Sequence, residues 1–267
     1  MEFIINYFSL VIIFFATMFG FGLFNAIIER QANTYIYACF GKLGLWLTSF
    51  IGTTVHELGH AFFVILNGQK INKIKLFPKI SDFDNNPQLG YVNYSHSNTF
   101  WGMLSMFFIG IGPILFGPIT ILVLMKLLIP STYFVVFDKI NEFLSSGNIE
   151  VLRMLFEVIG SFIKGFLNVE TLTSVRFYIF LYLAGSIACH TTLSLADIKG
   201  ALRGFLFLLF GIFAFGFIVT FISGIQTQTI NLISIVCCFF VILYIMSLAF
   251  SLITFIFNYF LFSIIRN

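Results

Sequence analysis

Charge is scarce in this chain. Only 9% of its 267 residues are Asp, Glu, Lys or Arg, while 59% are hydrophobic. Soluble globular proteins carry roughly 25% charged residues, so the composition excludes that class and predicts an integral membrane protein. The net charge of +3 is small and spread along the chain, leaving no basic patch, so no nucleic acid is expected as a partner. The four cysteines, Cys39, Cys189, Cys237 and Cys238, never reach C-x-x-C spacing. Three lie in strongly apolar surroundings and read as small buried hydrophobes, not as a disulfide scaffold. No Pro/Ser-rich linker and no insertion of soluble-domain size interrupts the chain, which reads as a single domain over 1–267. The 39 phenylalanines read as bulk apolar filling.

What is present in quantity is long apolar sequence. A helix needs about 20 apolar residues to cross the hydrocarbon, and six segments qualify: roughly 3–27, 43–66, 101–128, 175–193, 201–223 and 231–262. The first begins with the acidic Glu2 and is long, which predicts a retained membrane helix and not a cleavable signal. Loop charge then suggests an orientation. Lys70, Lys73, Lys75 and Lys79 follow the second segment, Lys199 and Arg203 follow the fourth, and Arg266 ends the chain, whereas the loop at 224–229 carries no charge. An even number of crossings with this bias predicts both termini in the cytoplasm.

Two connections carry information. In 67–99, Lys73-Ile74-Lys75-Leu76 and Tyr91-Val92-Asn93-Tyr94 alternate polar and apolar residues around Asp82-Phe83-Asp84-Asn85-Asn86-Pro87, which has turn chemistry. This predicts a small β-hairpin beside the membrane whose edge could accept an extended peptide. In 129–174, Glu150, Arg153, Glu157, Ser161 and Lys164 recur every three or four residues, which predicts an amphipathic helix at the membrane interface or against the bundle. The third segment contains Gly112-Pro113 and Gly117-Pro118, and each proline removes a helix hydrogen bond and favours a kink. The expected fold is therefore an all-α polytopic membrane protein of about six transmembrane helices. A hairpin follows the second helix, and an interfacial helix lies between the third and fourth.

The chemistry lies in the second segment. His56-Glu57-Leu58-Gly59-His60 is an H-E-x-x-H sequence. Histidines four apart share one face of a helix and can grip one zinc ion, and the glutamate between them can take a proton from a water that zinc activates. A charge inside a membrane span costs roughly 2.5–3.5 kcal/mol and is functional by default; Glu57 has no other evident reason to sit there. A catalytic zinc site usually has three protein ligands. Most acids lie in connections or on the amphipathic helix, among them Glu29, Asp138, Glu150 and Glu157, but Asp197 stands at the end of the fourth segment and is the expected third ligand. Glu150 or Glu157 would be the alternative, and helix capping would be the other role for Asp197. His190 lies seven residues before Asp197, about 10 Å along a regular helix. It is expected to support the ligands, to touch the substrate, or to be a structural histidine. His96 reads as a loop residue.

With these residues in view, the chain resembles the site-2 protease family of intramembrane zinc metalloproteases. The likeness rests on H-E-L-G-H at 56–60, the following hairpin, the Gly-Pro kinked third segment and the late aspartate, and covers about 43–204 as a catalytic core. The chain has Cys189, Thr192 and Asp197-Ile198 where the family often has an Asn-x-x-Pro element ahead of Asp-Gly, and Phe116 where an asparagine is common, so it reads as a divergent member. The resemblance implies one zinc ion per chain bound by His56, His60 and Asp197, with Glu57 as general base and a transmembrane or membrane-associated peptide as substrate in the bilayer. The other reading kept open is a non-proteolytic metal-binding membrane scaffold or transport component.

Overall fold

The structure is a computed structural model that describes residues 2–85, 89–145 and 151–266. It is mostly helical. The helices are α1 (Glu2–Leu66), α2 (Asp82–Asn85), α3 (Phe100–Gly110), α4 (Gly112–Leu128), α5 (Pro130–Ser145), α6 (Val151–Phe166), α7 (Val169–Leu172), α8 (Val175–Cys189), α9 (Leu195–Thr220) and α10 (Ser223–Arg266). Strands β1 (Lys70–Lys75) and β2 (Tyr91–Ser95) pair antiparallel, with a bulge between Ile71 and Lys73.

Helix α1 is two limbs, 2–40 and 42–66, divided at Gly41, whose φ of 58° and ψ of −144° are not helical. The limbs fold back on one another: a β-carbon at Gly44 would lie 3.1 Å from the Ile36 carbonyl oxygen, residues about 12 Å apart along a straight helix. Only glycine takes this backbone region without strain. Gly41→Ala is expected to lower stability by roughly 1–3 kcal/mol. Gly20→Ala, at an open helical position, should raise it by roughly 0.5–1 kcal/mol. Unfolding midpoints in detergent that moved alike for both variants would refute the assignment.

Three helices are long and apolar enough to cross a membrane: Glu2–Leu66, Leu195–Thr220 and Gly224–Ile265. The pair α3–α4, bent by 50° at Ile111, makes a fourth if taken as one broken span. The expected Gly-Pro kink is thus present, with Pro113 opening α4 and Pro118 inside it. Helix α8 has only 15 residues.

The N-terminal limb is the spine of the bundle. Going up it from Gly41, α8 lines one cavity with Ala32 and Ile36 and then meets Asn25; α9 next meets Phe19 and Phe15 through Phe205, then Phe8 and Tyr7 through Phe213 and Gly216. So α8 and α9 travel in one direction with a break between them. This corrects the sequence expectation of two opposed spans joined by a basic loop: Lys199 and Arg203 lie within α9. Helix α10 runs parallel to the limb, from Cys237 beside Leu10, through Tyr244 stacked on Phe21, to Asn258 donating to the Ala32 carbonyl. The N-terminal end therefore lies beside the α9–α10 turn and the C-terminal end beside Gly41. The two termini sit at opposite ends of the bundle, where the even count of crossings had put them together.

In 129–174, α6 is present where the amphipathic helix was expected, and α5, which the polar stripe does not reveal, packs against it. Lys139 of α5 bridges Glu142 and Glu157 at 2.8 Å each, and Arg153 donates to Glu157 at 2.9 Å. Lys139 and Arg153 together hold the Glu157 carboxyl below the usual carboxylate range. Glu150 lies outside the described residues, as do Asn86 and Pro87 of the expected turn.

Candidate metal centre

The site lies where two helix ends meet the second limb of α1. The approach is close because that limb presents glycines. Gly59 abuts the Gly112–Pro113 backbone, with an added β-carbon 3.0 Å from Pro113, and Gly52 faces Ser186 and the His190 ring with no room for a side chain. Ser186 Oγ accepts from the Gly52 N–H at 3.0 Å.

Both histidines of the motif are oriented by carbonyls that helix breaks leave free. His60 Nδ1 donates to the Ile109 carbonyl at 2.7 Å. In a continuous helix that carbonyl would take the N–H of residue 113, but Pro113 has none. His56 Nδ1 donates to the His190 carbonyl at 2.9 Å, and His190 is the C-cap of α8, where the last carbonyls have no helical partner. A carbonyl only accepts, so Nδ1 carries a proton in each ring, and in the neutral imidazole Nε2 is the nitrogen left with a lone pair.

Those two nitrogens converge on Asp197. His60 Nε2 lies 3.1 Å from Oδ1 and His56 Nε2 3.7 Å from Oδ2. Asp197 also accepts the Ser194 N–H at 2.8 Å and donates its own N–H to Ser194 Oγ, a capping box that starts α9 and holds the carboxylate in place. Capping and convergence on the histidines are therefore combined in one residue. The ligand atoms of His56, His60 and Asp197 all lie within 4.8 Å of one another. A tetrahedral zinc with 2.0–2.1 Å bonds wants ligand atoms about 3.3 Å apart, and the two nitrogens lie near that distance from the carboxylate, 3.1 Å from Oδ1 and 3.7 Å from Oδ2. Two imidazoles and a carboxylate, with the outer ring nitrogens fixed by carbonyls, fit zinc in kind as well as in spacing.

Glu57 is buried at 7% exposure and, among the described residues, has no lysine or arginine in ion-pair contact. It lines a cavity of about 420 Å³ together with His56, His60 and Asp197. The hairpin forms another wall: Tyr91 to Tyr94 of β2 line the cavity, and Gly90 comes so close that a β-carbon there would sit 2.6 Å from Glu57 Cγ. The hairpin is tied to α1 by Trp46 Nε1 donating to the Pro78 carbonyl at 3.0 Å and Thr54 Oγ1 to Leu76 at 3.2 Å. Its connection is closed by Lys75 and the Lys79 N–H on Asp82, which hold that carboxyl below its usual range.

The structure departs from the sequence reading in three places. His190 and Asp197 are on different helices, so the regular two-turn spacing does not apply. Glu157 is engaged on α5 and α6 and lies apart from the His56–His60–Asp197 cluster. Glu29, read as lying in a connection, is inside α1 and lines the same cavity. Asn25, one turn earlier, donates to the Ala188 and Thr191 carbonyls at 2.6 and 3.1 Å and so fixes the broken end of α8. The only sequence signal for these two was polarity near the end of an apolar run. His96 stays on the hairpin side, its ring tilted by 56° against that of Tyr94.

The fold and site define a helical, membrane-type protein carrying an H-E-x-x-H helix and a distant aspartate able to hold a metal ion together. Residues 31–137 match the family model described as Peptidase M50B-like, which supports the resemblance to the site-2 protease family and suggests a membrane metalloprotease. That match spans both histidines, Glu57, the hairpin and the bent pair α3–α4, while Asp197 lies beyond it. No curated protein and no solved structure matches the chain.

Proposed function

We propose that the chain is a zinc-dependent intramembrane endopeptidase that hydrolyses peptide bonds of membrane-embedded or membrane-associated peptides. The observation that carries this reading is the convergence of His56, His60 and Asp197 in one cavity with Glu57 and with β2. His56, His60 and Asp197 would hold one zinc ion, which would supply Lewis acidity to the scissile carbonyl and acidity to a water. Glu57 takes the proton of the attacking water and returns it to the leaving amine nitrogen. The Ile109 and His190 carbonyls keep both imidazoles turned with Nε2 inward. The edge of β2 away from β1 has no strand partner among the described residues, and it takes the unwound substrate as an added strand. Gly90 keeps that strand low over Glu57.

The six apolar segments are membrane-embedded in this proposal, with α8 and α9 the two halves of one broken passage and the metal centre at the break. Helix α6 lies at the interface with its Arg153–Glu157–Lys164 stripe outward. The test is cleavage of an apolar peptide by the purified chain in lipid vesicles. Cleavage should vanish when a chelator strips the metal and return with zinc. Undiminished cleavage by metal-free protein would refute the proposal, and firmly bound zinc with no cleavage of any membrane peptide would favour the scaffold reading.

A further inference from the structure

Glu29 forms no part of the metal cluster, yet it faces the cavity. Its Oε2 accepts from Thr192 Oγ1 at 2.8 Å, so the threonine proton is committed and only its lone pairs are left to offer. His190 Nδ1 lies 2.9 Å from the Ser186 carbonyl, so a ring proton is there, and in the neutral imidazole Nε2 is an acceptor. That nitrogen belongs to a side chain 7% exposed, lines the cavity, and takes a hydrogen bond from no group among the described residues. It stands 3.8 Å from Glu29 Oε1, too far for a hydrogen bond between them. Two acceptors at that spacing, with a third beside them, suit a group that brings several N–H donors at once. The cavity lining holds Glu29, Glu57 and Asp197 and no lysine or arginine, so apart from the zinc ion of the proposed function a cationic group entering it meets no like charge.

We propose that Glu29, His190 and Thr192 form a subsite for a positively charged nitrogen group of the peptide, an ammonium or guanidinium. The proposal deepens the protease reading and rests on it for the identity of the ligand as a peptide. Two sources share this chemistry: a lysine or arginine side chain near the scissile bond, and the new amino terminus of the product.

The test uses the full chain in detergent with the Glu57→Gln substitution, so that binding is measured without turnover. The probes are an N-acetylated apolar peptide carrying one lysine, the same peptide with norleucine in its place, and the norleucine peptide with a free amino terminus. The lysine or the free-amine peptide is expected to bind about tenfold tighter than the acetylated norleucine peptide. That preference should disappear when Glu29→Gln is added, with zinc content unchanged. Glu29→Lys should reverse it in favour of a glutamate-bearing peptide, which keeps the idea testable if the amide variant folds poorly. Tightening by the lysine peptide identifies the side chain as the source, and tightening by the free-amine peptide alone identifies the product terminus. Equal affinities, or a preference that survives Glu29→Gln, would overturn the subsite. Equal cleavage of lysine and norleucine peptides by the native chain, together with no tightening by the free-amine peptide, would overturn it while leaving the protease intact. Discrimination in binding without any cleavage would overturn the protease and leave the cationic subsite.

Discussion

Glu57→Gln is expected to reduce peptide hydrolysis by roughly a hundred- to ten-thousandfold, the usual worth of a general acid–base group, while zinc content stays at one per chain. The reasons are geometric. The carboxylate shares the cavity with His56, His60 and Asp197, yet is absent from the set of ligand atoms that cluster within 4.8 Å. An amide of the same size keeps the contact with Gly90 and leaves both Nδ1 bonds untouched, but it cannot take a proton from water. Cleavage rate and zinc content, measured on one preparation, separate the two roles. A Gln variant that cleaved at the native rate would exclude Glu57 as the base, and one that lost its zinc would make Glu57 part of the metal shell.

Removing the Asp197 side chain has two expected consequences, because that side chain caps α9 and, in the proposed centre, would hold zinc. Asp197→Ala is expected to lower bound zinc sharply, by tenfold or more in affinity, and to lose the capping interaction at α9, worth about 0.5–2 kcal/mol. Asp197→Asn separates them. The amide oxygen can still accept the Ser194 N–H, so stability should largely recover, but the charged ligand is gone and zinc should not. Elemental mass spectrometry and thermal unfolding of both variants make the comparison. Zinc undiminished in Asp197→Ala would discard this residue as the third ligand, and equal stability of the two variants would discard its capping role.

The legibility of this chain follows the range of the physical signals. The H-E-x-x-H triplet is local: one turn of helix puts both imidazoles on one face, so neighbouring residues suffice to read it. The hairpin is local too, since Ile74 and Val92 face each other across a short turn-rich stretch. The orientation of α8 and α9 is not legible in the sequence, because hydropathy reports how much apolar sequence there is and not which way it travels. Lys199 and Arg203 looked like a loop, whereas the Ser194–Asp197 capping box restarts the helix at once and the chain continues in the same direction. Glu29 was misplaced for a related reason. It lies at the end of an apolar run in sequence, and only the fold-back at Gly41 brings the first limb alongside His190 and Thr192.

The amino-acid sequence by itself determined that the chain is a membrane protein, that one of its helices carries two histidines and a glutamate in zinc-site spacing, and that Pro113 would interrupt the helix after the hairpin. These follow from composition and from periodicities of a few residues. The tertiary structure alone decided which carbonyls turn the histidines, namely Ile109 and His190, that the Asp197 carboxylate both reaches them and caps α9, and that Glu29 shares their cavity. Each of these joins residues dozens to well over a hundred positions apart, and the two contacts that turn the histidines run through backbone groups freed at helix breaks. Every residue carries a carbonyl, and only packing determines which one is left open to a neighbour.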